Sequence, residues 1–98
     1  MKFRSSIVWQ QKREEVKKRD KYLCQVCIRG LYNPQYQYQY EGLHVHHAVP
    51  VMESESGHLD NGNLITLCSE HHVMADKGKI SLKEIQKLIN EQEKFCQN

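Results

Sequence analysis

The chain has 98 residues, 39% of them hydrophobic, and a formal charge of +2. One domain over residues 1–98 is expected, and a domain of that size buries only roughly 60–65% of the surface its unfolded chain exposes; that excludes a large apolar core and favours a staple such as a metal. No run approaches the ~18 apolar residues of a membrane span, and the opening MKFRSSIVWQQKREE lacks a signal peptide's apolar stretch, so the expectation is a cytoplasmic, intracellular protein with no membrane partner.

Ser5 and Ser6 can cap a helix from Ile7 to about Arg19, with Ile7, Val8, Trp9 and Val16 as sparse apolar contacts on a solvated surface. Lysine and arginine recur along this helix and again at Lys77 and Lys79; the small net charge permits nucleic-acid binding without arguing strongly for it. YLCQVCIRG follows, a Cys-x-x-Cys turn with Gly30 placed to let the chain reverse. YQYQYEG alternates strictly and reads either as a strand with Tyr36, Tyr38 and Tyr40 on one face or as a low-complexity loop. Stacking on exposed bases and plain strand packing are both open for the stretch from Tyr32 to Tyr40.

LHVHHAVPV reads as a short strand ended by Pro50, and NLITLC as a second, with the polar MESESGHLDNG as a loop between them. SEHHVMADKG reads as a short helix that Ser69 can cap, with Glu70 in its first turn and Gly78 at its end. SLKEIQKLINEQEKF opens on a capping box, Ser81 with Glu84, and spaces Leu82, Ile85, Leu88 and Ile89 along one helical face.

In a reducing compartment four cysteines point to metal ligands plus a spare rather than to disulfides. Cys24-x-x-Cys27 and, after an interval of 40 residues, Cys68-x-x-His71 form two paired knuckles, the donor set of a tetrahedral structural Zn²⁺ with no open position. Cys96 has no partner in sequence and reads as incidental. If SEHHVMAD is helical, His72 and Asp76 share a face four positions apart, and His46 from the first strand would complete three ligands of an open, catalytic metal.

Strand alternation sends His46 towards that metal and His47 to the other side. Phosphodiester hydrolysis needs a base to activate water and a positive charge at the departing oxygen, and adjacent strand histidines can serve both. An imidazole near its ordinary pKa of ~6.5 is substantially neutral at physiological pH, as a general base must be. His44 and His58 read as partly exposed residues without a role in this chemistry.

Together these residues resemble the HNH endonuclease family, in its subclass with a zinc knuckle. VHHAVP carries the first strand with its histidine pair, NLITLC the central Asn63, and CSEHH the closing His72, with intervals of 16 and 9 positions between His47, Asn63 and His72. The likeness covers about residues 22–77. It implies an α+β fold: a small ββα-metal (His-Me finger) core with a structural zinc knuckle, flanked by an N-terminal helix at about 7–19 and a C-terminal one at about 81–95.

The resemblance also implies roles. His47 is the expected general base. His46 and His72 are expected to bind the catalytic divalent ion (Mg²⁺, Mn²⁺, Ni²⁺ or Zn²⁺), with Asp76 third, where the family often has His, Asn or Lys. Asn63 is expected to hold the base through loop backbone, with Asn61 the competing candidate. Arg13, Lys17, Lys18, Arg19, Lys77 and Lys79 are the candidate phosphate contacts, which implies low sequence specificity on DNA.

Small proteins of this kind in tailed phages extend the expectation to terminase or other packaging proteins as partners, inside the host cell. Two rivals remain: a zinc-stabilised nucleic-acid-binding module without cleavage, and a subunit that cuts only with a partner.

Overall fold

Residues 7–49 and 59–95 are described by a computed structural model. Ser5, Ser6, Pro50, His58, Cys96 and most of the polar loop after the first strand lie outside them. The elements run α1 (Ile7–Arg19), α2 (Gln25–Ile28), β1 (Leu43–His47), a 3₁₀ turn (Asn61–Asn63), β2 (Leu64–Cys68), α3 (Ser69–Asp76) and α4 (Leu82–Phe95). This is the α+β arrangement the motifs imply, with two antiparallel strands and α3 directly after the second.

The strands pair with His46 opposite Ile65 and His47 opposite Leu64. Opposed residues of an antiparallel pair share a face, so the ribbon has two apolar sides. Ile65 and Leu67 pack with Ile85, Leu88 and Ile89 of α4, while Leu64 packs with Trp9 and Val16 of α1. The two histidines of the pair therefore belong to different layers, one on the side of Ile65 and the other on the side of Leu64.

Several local expectations need correction. Ile7 is 75% exposed and Val8 is exposed too, so the buried contacts of α1 are Trp9 and Val16. Leu82 is likewise exposed, leaving Ile85, Leu88 and Ile89 to form the buried stripe of α4, whose Glu84 N–H donates to Ser81 Oγ at 3.1 Å. Ser69 does not cap α3: Cys68 holds the N-cap position, and Ser69 Oγ donates to the Gly42 carbonyl at 3.1 Å. Gly42 sits at φ 61°, and a Cβ there would meet Ser69 Oγ at 3.1 Å, so the approach to β1 needs glycine on both counts.

YQYQYEG is a loop, with Tyr36, Tyr38 and Tyr40 all exposed. Its backbone rests on the knuckle, where Cys24 N–H donates to the Gln39 carbonyl at 3.0 Å, and Gln37 Nε2 donates to the Ile28 carbonyl at 3.2 Å. The alternation here belongs to a solvated loop with a turn at Gln37 and Tyr38 rather than to strand pairing.

Arg19 and Asp20 bind α1 to β2 and α4. Asp20 is fully buried and accepts two bonds from Arg19, one from the Thr66 N–H at 2.9 Å and one from Gln92 Nε2 at 3.1 Å. The Arg19 side chain, 7% exposed, also donates to the carbonyls of Asn61 and Leu64 and to Glu93, so that all five of its N–H groups are engaged. Arg19 is thus unavailable to a phosphate, which corrects its place among the expected contacts.

Candidate active site

The knuckle residues converge. Cys24, Cys27, Cys68 and His71 are buried, and His71 Nδ1 lies 3.6, 3.4 and 3.3 Å from the three sulfurs in that order, with Cys27 Sγ and Cys68 Sγ 3.8 Å apart. Tetrahedral ligands at ordinary zinc bond lengths would stand about 3.8 Å apart for a sulfur pair and about 3.6 Å for sulfur and nitrogen. The spacing fits a structural zinc and is far too long for a disulfide.

The chemistry agrees with the spacing. Burial pushes the Cys24 and Cys27 thiols up from their ordinary pKa, so thiolates gathered here require a cation. His71 Nε2 lies 3.2 Å from the Tyr32 carbonyl; donating there leaves the Nδ1 lone pair facing the sulfurs.

A second group stands on the other side of α3. His46, His72 and Asp76 place their ligand atoms within 4.8 Å of one another, with His46 Nδ1 3.5 Å from Asp76 Oδ1 and His72 Nε2 3.7 Å from Asp76 Oδ2. His46 is buried, whereas Asp76 is 56% exposed, so one side opens to solvent. Burial, and then the charge of His72, pushes the His46 imidazole down to about 4, which keeps it neutral and able to ligate at pH 7. Two imidazoles and one carboxylate with an open side fit a divalent ion that also binds water or a phosphate oxygen.

His44 lies beside this group, its ring stacked on that of His72 with centroids 4.9 Å apart and 9° between planes. Its Nε2 is 3.1 Å from Ser69 Oγ. Burial lowers its pKa first, followed by the charges of His72, Arg13 and Lys17.

His47 faces the other layer, where its ring stacks on Trp9. Immediately beyond it the chain is clamped by Asn63: the Ala48 N–H donates to the Asn63 carbonyl at 2.9 Å, the Val49 N–H to Asn63 Oδ1 at 2.8 Å, and Asn63 Nδ2 to the Val49 carbonyl at 3.0 Å. Asn61 takes a different direction, its side chain bonded to Lys12 at 2.8 Å and Glu15 at 2.8 Å on α1. Lys18, Lys77 and Lys79 are exposed and Arg13 and Lys17 half-buried. Trp9, Asp20 and Ser69 are the residues of this neighbourhood that sequence reasoning did not assign to it; the signal for Trp9 was its being the sole tryptophan.

A family model described as HNH endonuclease matches residues 24–78, more than half of the chain. The chain belongs to the HNH endonuclease family. Searches of the curated proteins and of the solved structures found no match. The HNH segment contains both ligand groups and the histidine pair, and it leaves α1 and α4 outside. An HNH domain supports a nuclease-type function with a divalent metal, and implies DNA as substrate. Among the described residues no helix is long and apolar enough to cross a membrane.

Proposed function

We propose that this chain is a metal-dependent endonuclease that hydrolyses DNA phosphodiester bonds with low sequence specificity. The observation that carries the proposal is the division of His46 and His47 between two sides of one strand. One joins an open ligand set and the other is held apart from it beside a backbone clamp.

A divalent ion held by His46, His72 and Asp76 would supply electrostatic stabilisation of the charge that develops on the phosphate and on the departing 3′ oxygen. His47 takes the proton of the attacking water, a role worth about 10²–10⁴-fold in rate. Water adds to phosphorus, the bond from phosphorus to the 3′ oxygen breaks, that oxygen takes a proton from solvent water, and the products are a 5′-phosphate and a 3′-hydroxyl. Asn63 fixes the Ala48–Val49 backbone and with it the point from which His47 projects. Arg13, Lys17, Lys18, Lys77 and Lys79 attract phosphates without reading bases. A zinc ion held by Cys24, Cys27, Cys68 and His71 would anchor α3 at His71, so that His72 and Asp76 would stand on a fixed helix. The likeness to small phage proteins extends the proposal to work beside a packaging terminase.

Supercoiled-plasmid conversion tests this, using protein that keeps its cysteine-held zinc and is supplied in turn with Mg²⁺, Mn²⁺, Ni²⁺ or Zn²⁺, beside His47→Ala. Cleavage by the parent, lost in the variant, is the expected result. Retention of the plasmid on basic residues without cleavage by either protein would favour the binding module instead, and equal cleavage by both would remove His47 from the mechanism.

A further inference from the structure

We infer that Trp9 is a positioning residue for His47, so that α1, outside the matched HNH segment, forms one wall of the active site; this rests on His47 being the base. The ring centroids of Trp9 and His47 are 5.2 Å apart and their planes are 15° from parallel. Trp9 is 5% exposed and packs with Val16 and Leu64, and Leu64 is the residue opposite His47 in the sheet. The indole is therefore a fixed surface, held by the same strand pair that carries the histidine.

The stack supplies what the Asn63 clamp does not. Backbone bonds at Ala48 and Val49 set where the chain runs, whereas the indole bears directly on the side chain of His47. An offset, nearly parallel indole restricts the plane of the imidazole. Because both ring nitrogens lie on the edge, a face-on stack does not cover them.

The two restraints are also joined to each other. Lys12 Nζ donates to Asn61 Oδ1 at 2.8 Å, and Arg19 donates to the carbonyls of Asn61 at 3.0 Å and Leu64 at 2.7 Å. The helix bearing Trp9 and the 3₁₀ turn bearing Asn63 thus form one bracket around His47.

Trp9 is the sole tryptophan, so its emission reports the contact without reference to activity. Removing the ring stacked on the indole changes the surroundings of Trp9; His47→Ala is expected to shift the Trp9 emission, and an unchanged spectrum would overturn the stack. In kinetics, Trp9→Leu with its zinc content intact is expected to lose about 10–100-fold in kcat, as displaced catalytic groups do, with KM nearly unchanged. Trp9→Phe, which keeps a ring, is expected to recover most of that loss. Trp9→Met replaces Trp9→Leu if the latter folds poorly. Parental kcat in a folded variant without the ring would overturn the positioning role while the nuclease proposal stands. A parent protein that cleaves with none of the four metals would overturn both, and the emission comparison would still show whether the stack exists.

Discussion

His71 and His72 are neighbours on α3, yet they face two different environments. His71 points into a buried group of three sulfurs whose spacing fits one tetrahedral ion. His72 points to a group that mixes a buried histidine with a carboxylate more than half exposed. Consecutive helix positions lie about 100° apart, enough to serve a core and a surface from one turn. On the proposed reading the closed donor set belongs to folding and the open one to chemistry, and the helix between them lets the first fix the position of the second.

The largest effect should come from breaking the closed side. Structural zinc contributes about 10–16 kcal/mol in small zinc-folded peptides, against about 5–15 kcal/mol for the whole stability of a domain. Cys27→Ala should therefore abolish the cooperative thermal transition seen by circular dichroism; a sharp transition near the parental temperature would show that the knuckle is dispensable.

Breaking the open side should leave the fold alone. His72→Ala is expected to lower plasmid cleavage about 100-fold or more, the scale of losing a group that stabilises transition-state charge. Its melting temperature should stay within about 4 °C of the parent, because a part-exposed substitution away from the core costs about 0.5 kcal/mol or less. A collapse of melting temperature together with activity would dissolve the distinction between the two groups.

A smaller effect concerns protons. His46 is held down to about 4 by burial and by the charge of His72, against an ordinary value of 6.5. Unfolded His46 takes up a proton as the pH falls below 6.5, while folded His46 does so only near 4. Its contribution to stability is whole above the upper value and is lost as pH falls towards the lower one. Urea unfolding of zinc-retaining protein with no ion added should show that loss, and His46→Gln should flatten it; parallel curves would mean that His46 is protonated in the fold.

The smallest effect should follow from Lys77→Gln with Lys79→Gln, beside the open group. Each phosphate contact removed reduces the salt dependence of DNA binding by about one unit of slope, with little change in kcat. An unchanged slope would place the DNA elsewhere on the surface.

The pairs within both candidate ligand groups were legible in the sequence because their spacings are local, although each group is completed across a long interval. Two-residue gaps and an i, i+4 pair survive any fold that makes a knuckle and a helix, and α4 announced itself through Ser81, Glu84 and its buried stripe. What escaped was long-range or disguised. Arg19 looks like any surface cation until Asp20 and the carbonyls of Asn61 and Leu64 are seen around it. Trp9 meets His47 from a helix on which Val16 is buried with it but Ile7 and Val8 stay in solvent, so the apolar pattern of the helix did not point to its partner. The tyrosine alternation leaves strand and loop both open, because either can carry the pattern and only hydrogen-bond partners separate them; the structure has the loop.

The most direct measurement loads the protein with zinc, removes loosely held ions with a mild chelator, and follows zinc content, thermal melting and plasmid cleavage in that one sample. One zinc ion should remain per chain with an unchanged melt, while cleavage disappears and returns when Mg²⁺, Mn²⁺ or Ni²⁺ is added back. Loss of fold and cleavage together, or full cleavage with the single tightly held ion alone, would contradict the division between a closed structural group and an open catalytic one.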